Sequence, residues 1–571
     1  MVEITVNNRK VKAKPGETIL KALRRAGIHV PTLCYHENLK PAGKCRICVV
    51  EVEGRKDLIP SCAFPVSEGM VIKTHSPRVL AARKNLLELM LSDHPDDCLY
   101  CVRNGKCDLR QLADMLGVNE RKLPKLVKQE EKDTTSPSIV RDPNKCILCG
   151  KCVRVCEDIQ GVVAIELMGR GFETFVGIEN GKGIGYSRCI NCGQCVLACP
   201  TGALSEVSHV QNVIDALNDP EKVVVVQHAP SISVTIAEEM GYSPGKDFDG
   251  IMCAAFRKVG FDYVFDTSFS ADLTIMEEGS ELVHRIKNNG PLPLLTSCSP
   301  GWIKYIEQFY PELLDHVSTC KSPQQMLGAV IKSFFAEKIG VDPANIYSVS
   351  VMPCTAKKFE AQRPEMGRNG ISDVDAVLTT RELGKLFHLY GIDFHDLKAE
   401  QADTPFGERT TAGKIFGASG GVMEAAIRSA YFLITGKELK EVKVEAVRGL
   451  DGIKEAKINI NGLKVGVAVA HTLKNAARLL DQIRDGRKDL HFIEIMTCPG
   501  GCVGGGGQPY GTDVETVIAR TKVLYSLDEK EKLKTSHSNP WVKRLYEEFL
   551  GQPLSEKSHE LLHTHYHKRE M

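Results

Sequence analysis

One cysteine spacing occurs twice in this chain and limits its fold more than any other feature. Each copy contains four cysteines separated by two, two and three residues. The two copies are Cys146, Cys149, Cys152 and Cys156, then Cys189, Cys192, Cys195 and Cys199. Closely spaced thiolates are the soft ligands that iron–sulfur clusters select. The repeat therefore predicts a small cluster-binding domain at residues 138–208.

The repeat resembles bacterial-type ferredoxins, in which the fourth cysteine of each run ligates the other cluster. That resemblance implies two 4Fe–4S clusters with crossed ligands. One would be held by Cys146, Cys149, Cys152 and Cys199, and the other by Cys189, Cys192, Cys195 and Cys156. Glu157 stands after Cys156, where a proline is usual.

The other cysteines are concentrated in the same half of the chain. Of 21 cysteines, fifteen lie between Cys34 and Cys199. The N-terminus has no export signal, so we expect metal ligands or redox groups rather than disulfides. Cys253 and Cys320 fit no ligand pattern and are predicted to be buried free thiols.

Residues 1–78 predict a β-grasp domain. A hairpin about Asn7-Asn8 precedes a helix that Thr18 caps and Gly27 ends. Four cysteines follow, with ten, two and thirteen residues between them: Cys34, Cys45, Cys48 and Cys62. This spacing resembles plant-type ferredoxins and implies one 2Fe–2S cluster. The alternative is a set of structural cysteines or a zinc site.

Residues 79–124 predict a second cluster unit, in which a helix leads to His94, Cys98, Cys101 and Cys107. A histidine can replace one cysteine of a 4Fe–4S set, since neutral imidazole ligates iron. Zinc held by the same four residues is the alternative. The segment from Lys125 to Pro137 is predicted to be a linker.

The whole-chain composition excludes some classes of partner. The net charge is +1 and 25% of the residues are charged, so no nucleic-acid surface is indicated. No apolar run is long enough to span a membrane, and we expect a cytoplasmic protein. A length of 571 residues predicts several domains.

The C-terminal part predicts a multidomain α/β architecture. Buried strands at residues 222–227, 291–295 and 346–352 alternate with helical stretches at 273–287, 322–338 and 421–434. Such alternation predicts parallel sheets, with ligands beyond the carboxyl ends of the strands. Residues 209–515 are expected to form this α/β part and 516–571 a helical extension, whose histidines from His559 to His567 would lie on a solvated helix.

Three loops in this part contain the remaining cysteines. They are Thr296-Ser-Cys-Ser-Pro-Gly-Trp302, Met352-Pro-Cys-Thr-Ala-Lys-Lys-Phe-Glu360 and Glu494-Ile-Met-Thr-Cys-Pro-Gly-Gly-Cys-Val-Gly-Gly-Gly-Gly507. With Ala229-Pro-Ser231 and Gly417-Ala-Ser-Gly-Gly-Val-Met-Glu424, they resemble the iron-iron (FeFe) hydrogenases. The four-cluster N-terminal half is similar to that of the clostridial type.

The resemblance implies an active centre called the H-cluster, a 4Fe–4S cube joined to a diiron unit that carries CO, cyanide and a bridging dithiolate amine. Cys354, Cys498 and Cys502 would ligate the cube, and Cys502 would also bridge to the diiron unit. Lys357 and Ser231 would contact cyanide. The pocket would be lined by Pro230, Pro323, Gln324, Met352, Phe416 and Met496.

The resemblance also implies reversible H2 formation from protons and electrons, which needs a proton path. That path would run through Cys298, Glu278, Ser318 and Glu281 toward Arg285. Glu278 and Glu281 are three residues apart and share one face of the predicted helix. From the residues alone, a solvated acidic helix face is the alternative.

Ser299 departs from the family pattern, because a fourth cube ligand is expected at this position. Ser299 could ligate iron as an alkoxide, Cys298 could take its place, or the active centre could be incomplete. The leading functional hypothesis is a hydrogenase that exchanges electrons with ferredoxin or with a flavin-containing NAD(P)-linked subunit. The alternatives are an H2 sensor or low-activity electron-transfer protein, and a cluster-binding scaffold.

Overall fold

The N-terminal unit is a five-stranded sheet with one helix across it. The computed structural model describes residues 1–126, 129–439, 444–460 and 462–570. The strands, in the sheet order β2-β1-β5-β3-β4, are β1 (Val2–Val6), β2 (Arg9–Ala13), β3 (Val49–Val52), β4 (Ile59–Pro60) and β5 (Val71–Lys73). Asn7 and Asn8 turn the β1–β2 hairpin with φ of 48° and 66°, as a type I′ turn requires. Helix α1 (Ile19–Arg25) begins where Thr18 accepts a hydrogen bond from the Lys21 N–H.

The second unit consists of two helices that pack on the first. They are α2 (Pro77–Ser92) and α3 (Asp108–Leu116). The buried Arg83 guanidinium on α2 donates to the carbonyls of Ile47 and Val49 at 3.0 and 2.8 Å. These bonds hold α2 against the cysteine loop of the sheet domain.

The third unit contains the cysteine repeat in two short helices and two strand pairs. The helices are α4 (Lys151–Arg154) and α5 (Gln194–Ala198), and the strands are β6 (Ile139–Arg141), β7 (Ile165–Met168), β8 (Phe175–Ile178) and β9 (Leu204–Glu206). Strand β6 pairs with β9, and β7 pairs with β8. The predicted linker is partly packed here, because the Asp133 carboxylate accepts from the Ile184 N–H at 2.7 Å.

The C-terminal part contains two four-stranded sheets and the helices that cover them. The strands are β10 (Val223–His228), β11 (Tyr263–Asp266), β12 (Leu294–Leu295), β13 (Ile346–Val351), β14 (Gly367–Arg368), β15 (Ile371–Ser372), β16 (Ala376–Leu378), β17 (Ile453–Ile460), β18 (Leu463–His471) and β19 (Phe492–Met496). The helices are α6 (Val210–Leu217), α7 (Ile236–Glu239), α8 (Asp249–Val259), α9 (Thr267–Lys287), α10 (Pro300–Phe309), α11 (Pro323–Val330), α12 (Ala336–Ile339), α13 (Ala356–Ala361), α14 (Thr380–Leu389), α15 (Thr411–Lys414), α16 (Gly421–Thr435), α17 (Leu473–Arg484), α18 (Val514–Lys530), α19 (Pro540–Leu545) and α20 (Glu556–Leu562).

The first sheet is entirely parallel, in the order β11-β10-β13-β16. The second, in the order β12-β19-β18-β17, differs from the prediction because β17 and β18 pair antiparallel. The strand predicted at 291–295 is shorter, and the helix predicted at 322–338 contains a π-helical turn between α11 and α12. The carboxyl ends of β10, β13 and β19 lead directly into the cysteine-containing and proline-containing loops, as parallel sheets favour.

The C-terminal extension is docked rather than solvated. Helix α9 lies beneath it, and the fully buried Asp272 carboxylate accepts from Ser536 Oγ at 2.8 Å and Asn539 Nδ2 at 2.9 Å. His563, which follows α20, is buried as well. The prediction that His559 to His567 lie on a solvated helix is wrong in two respects: α20 ends at Leu562, and His563 is buried against Glu277 of α9. His559, His565 and His567 are exposed, as predicted. Within the described residues, no helix combines the length and apolar character needed to cross a membrane.

Candidate functional site

The crossed sets of repeat cysteines surround two separate cavities. Cys146, Cys149, Cys152 and Cys199 line one of about 490 Å³. Cys156, Cys189, Cys192 and Cys195 line another of about 370 Å³. Burial raises the pKa of Cys146 to about 11 and that of Cys156 to about 11. Buried thiols that cannot ionise alone suit a cationic metal core, since coordination to the metal deprotonates them.

The two N-terminal sets differ in exposure. Cys34, Cys45, Cys48 and Cys62 are all buried, and the Cys45 N–H lies 3.5 Å from Cys34 Sγ. These free thiols form two hydrogen-bonded pairs, Cys34 with Cys45 and Cys48 with Cys62. In the second set His94 is buried, with an Nδ1 that has no partner among the described residues. Cys98 is exposed, and Cys101 and Cys107 are half-buried.

The largest of the three cysteine-lined cavities, about 820 Å³, lies between the two C-terminal sheets. The three family-pattern cysteines Cys354, Cys498 and Cys502 line it. So do Cys298, Ser299, Lys357, Pro230, Pro323, Gln324, Met352, Phe416 and Met496. Ser231 is fully buried near this wall, and its Oγ has no partner in the described part of the chain. The loops after β10, β13 and β19 thus converge on one space.

The chemistry of this cavity fits an iron–sulfur group. Burial raises the pKa of all three thiols, that of Cys502 to about 12, and neighbouring thiols raise the pKa of Cys498 and Cys502 further. Three thiolates side by side in an apolar cavity would repel one another and lose hydration. A cationic iron core removes both penalties, because it coordinates the sulfurs directly.

The glycines of the third loop allow close contact between backbones, a role that the sequence only partly indicated. A Cβ on Gly505 would lie 2.2 Å from the Pro353 carbonyl oxygen, and one on Gly506 would lie 2.1 Å from that of Cys192. Only glycine permits such approaches. The Gly506 contact brings the second repeat against the central cavity, which Cys192 also lines.

Lys357 contributes a buried cation to the cavity wall. Its Nζ donates to Glu360 Oε2 at 2.8 Å and to the Cys298 carbonyl at 3.2 Å. Ser322 and Gln324 also donate to Glu360, so that carboxylate holds the lysine in place. The ammonium group can thus offset a negative ligand in an apolar site.

Ser299 lies at the cavity wall, immediately before α10. Its Oγ is 2.8 Å from Thr497 Oγ1, a residue of the third loop. No motif in the sequence pointed to Thr497 as a partner. The hydroxyl pair lies beside Cys498, where a fourth ligand would approach the same group.

Three residues of the predicted proton path form a buried hydrogen-bonded group. Ser318 Oγ donates to Glu281 Oε2 at 2.8 Å, and Arg285 donates to Glu281 Oε1 at 2.6 Å. Glu278 is buried, with an Oε1 that has no partner within the described ranges. Burial, with the Glu281 charge, raises the pKa of Glu278 to about 8. The solvated-face alternative is wrong, because these carboxylates lie inside the protein.

Family models match five successive parts of the chain. They describe a 2Fe-2S iron-sulfur cluster binding domain at 1–77, an NADH-ubiquinone oxidoreductase-G iron-sulfur binding region at 83–122 and a 4Fe-4S dicluster domain at 145–203. The iron only hydrogenase large subunit, C-terminal domain, matches 222–506, and the iron hydrogenase small subunit matches 514–569.

Full-length relatives and solved structures agree with these matches. The NADP-reducing hydrogenase subunit HndD of Solidesulfovibrio fructosivorans is 48% identical, covering 100% of this chain and 99% of the relative. Iron hydrogenase 1 of Clostridium pasteurianum is 42% identical over 100% of both chains. A solved structure of a variant of the FeFe-hydrogenase HydA1 from Chlamydomonas reinhardtii is 43% identical, with a TM-score of 0.58, and covers 64% of this chain and 100% of that one. This chain therefore belongs to the iron-iron hydrogenase family of oxidoreductases.

Proposed function

We propose that the protein catalyses reversible H2 formation from protons and electrons. One observation carries this proposal: a single cavity is lined by three family-pattern thiols, a buried lysine and Cys298, the first residue of the predicted proton path. The reaction requires both electrons and protons, and this cavity brings the thiols of the proposed electron-carrying centre next to the first group of the proposed proton path.

Cys354, Cys498 and Cys502 are assigned as the residues that would hold the cube of the H-cluster, and Cys502 would also hold its diiron unit. When bound, this centre supplies the iron at which protons and electrons combine. Lys357 and Ser231 are assigned to its cyanide ligands, since both place a polar group in an otherwise apolar wall. Pro230, Pro323, Gln324, Met352, Phe416 and Met496 keep bulk water out of the cavity.

Protons are assigned to the route Cys298, Glu278, Ser318 and Glu281, with Arg285 at its far end. The raised pKa of Glu278 supports this role, because a carboxyl group that titrates near the operating pH can both accept and release a proton. Ser318 and Arg285 fix the orientation of Glu281.

Electron transfer to the active centre is assigned to four accessory clusters, one 2Fe–2S and three 4Fe–4S, in residues 1–78, 79–124 and 138–208. The contact between Gly506 and Cys192 supports direct transfer from the last accessory cluster to the active centre. We propose a flavin-containing NAD(P)-linked subunit as the electron partner, because HndD is named as a subunit of an NADP-reducing hydrogenase. Ferredoxin is the alternative, and co-purification of native subunits distinguishes the two.

Ser299 is proposed to ligate the cube through oxygen. The hydroxyl of Thr497, 2.8 Å away, can stabilise a serine alkoxide by donating a hydrogen bond. The same substitution favours a second candidate function, an H2 sensor with slow turnover, since a harder donor should lower the potential of the cube.

The experiment is to mature the protein with its full cofactor set and measure H2 uptake against a viologen dye. We expect about twenty irons per chain, about fourteen of them in the accessory clusters, together with CO and CN infrared bands. Rapid turnover supports the enzyme, and full cofactor loading with negligible turnover supports the sensor. Zinc without carbonyl bands would contradict both.

A further inference from the structure

We propose that Cys320, His563 and His559 form a second proton branch, which leaves the relay at Glu281 and reaches water through the C-terminal extension. This inference rests on the proposed function, because it assigns a further route to the same reaction. No ligand role was predicted for these residues, and the histidines were expected to be solvated.

The inner half of the branch is buried and close-packed. A carboxylate oxygen of Glu281, the sulfur of Cys320 and a ring nitrogen of His563 lie within 4.8 Å of one another. The backbone fixes this geometry, because Cys320 and His563 form an antiparallel bridge flanked by two hydrogen bonds of 2.7 Å. This pairing holds the two backbone segments side by side.

The outer half of the branch reaches solvent. His559 lies on α20, one helical turn before His563. The centroids of the two imidazole rings are 4.3 Å apart. His559 is exposed, whereas His563 is buried. A proton taken up by His559 from water can therefore pass to His563 without crossing an apolar layer.

Arg285 is poorly suited to release protons at the end of the first route. A guanidinium group stays protonated in proteins. Its nitrogens already donate to Glu281 and to the carbonyls of Pro291, Asp315, His316 and Val317. Arg285 can orient Glu281, but imidazole is the side chain that exchanges protons near neutral pH.

Glu277 gives the branch its electrostatic support. His563 Nε2 lies 3.1 Å from Glu277 Oε2, and Tyr546 and Ser558 also donate to this carboxylate. Burial acts to raise the pKa of Glu277, but these hydrogen bonds outweigh it and lower the pKa. The resulting carboxylate holds the His563 ring in place through Nε2. The titratable groups that face His563 are Glu277, Glu281, Cys320, His559 and, through Glu277, Tyr546.

Protons balance at every step. During H2 formation, water protonates His559, which passes a proton to His563. In one concerted step, which avoids a free thiolate, Cys320 gives its thiol proton to Glu281 and takes one from the His563 ring, whose nitrogens otherwise pair with Thr319 Oγ1 and Glu277. Each carrier thus regains its starting state, and one proton has moved from solvent to Glu281. Oxidation of H2 runs the same steps in reverse.

The test compares His559→Ala, His563→Gln and the matched control His567→Ala, which removes another exposed histidine of the same segment. Glutamine keeps a donor for Glu277 but cannot carry a proton. We expect both branch variants to lower turnover by about threefold or more, with unchanged CO and CN bands. Free imidazole should restore His559→Ala, because that site is open to solvent. The control should match the parent protein.

A second readout needs no turnover. After mixing with D2O, the infrared C=O band of the buried carboxyl groups reports how quickly their protons exchange. We expect slower exchange in His563→Gln than in the parent protein or in His567→Ala. If the parent protein makes no H2, this exchange still tests the branch while the proposed function fails. Equal exchange rates in all three proteins, or a His559→Ala defect that imidazole does not relieve, would overturn the inference.

Discussion

Glu278 provides the sharpest test of the proton route. Its pKa of about 8, against an ordinary value of 4.5, means that burial favours the neutral carboxyl group by about 5 kcal/mol. The folded protein therefore holds this proton between about pH 4.5 and 8, whereas the unfolded chain has released it. The contribution of Glu278 to the free energy of unfolding is fully present below 4.5, the pKa of this group in the unfolded chain, and is lost as the pH rises toward 8.

The perturbation is Glu278→Gln, which keeps the shape of the side chain and removes the titration. In the parent protein we expect an infrared carboxyl band that disappears with a midpoint near pH 8, and this band should be absent from the variant. Turnover should fall by about 10²- to 10⁴-fold, because a relay group that cannot change protonation blocks the route. Glu166→Gln, at an exposed position, is the control. A variant that keeps the band or the turnover would refute the reasoning.

Three further predictions concern the central cavity. Ser299→Cys should raise turnover by about tenfold or more and increase the CO and CN band intensity, because thiolate replaces a harder donor; unchanged bands would count against a ligand role for Ser299. Lys357→Met should abolish those bands while sparing the cube, which infrared spectra and iron analysis together check. The same variant should lower the free energy of unfolding by about 3–5 kcal/mol, because Glu360 loses its cation. Gly506→Ala should lower stability by about 1–3 kcal/mol, seen as a lower thermal midpoint, since its Cβ meets the Cys192 carbonyl; Gly279→Ala, with ordinary contacts, should have little effect.

The repeat shows how far sequence reasoning reaches when ligand spacing is local. Four cysteines within eleven residues can meet only around a small object, and the crossed assignment corresponds to the two cavities that the structure contains. The fold of the parallel sheet was similarly accessible, because β10 begins with four consecutive valines. The family membership inferred from the loop motifs is confirmed by the full-length relatives.

Burial was the property that the sequence did not determine. Glu277, Glu278 and Glu281 look like a solvated face of α9, yet all three lie inside the protein because α11, α16 and the C-terminal extension cover the helix. The position of Cys192 in the wall of the central cavity likewise depends on a contact between segments more than 300 residues apart.

The sequence by itself determined which groups can bind metal, because ligand type and spacing within one segment are local properties. Only the tertiary structure decided which carboxylates are buried, which loops converge and where His563 docks. Those outcomes depend on packing between distant segments, since desolvation and hydrogen bonding arise from whatever lies across the interface.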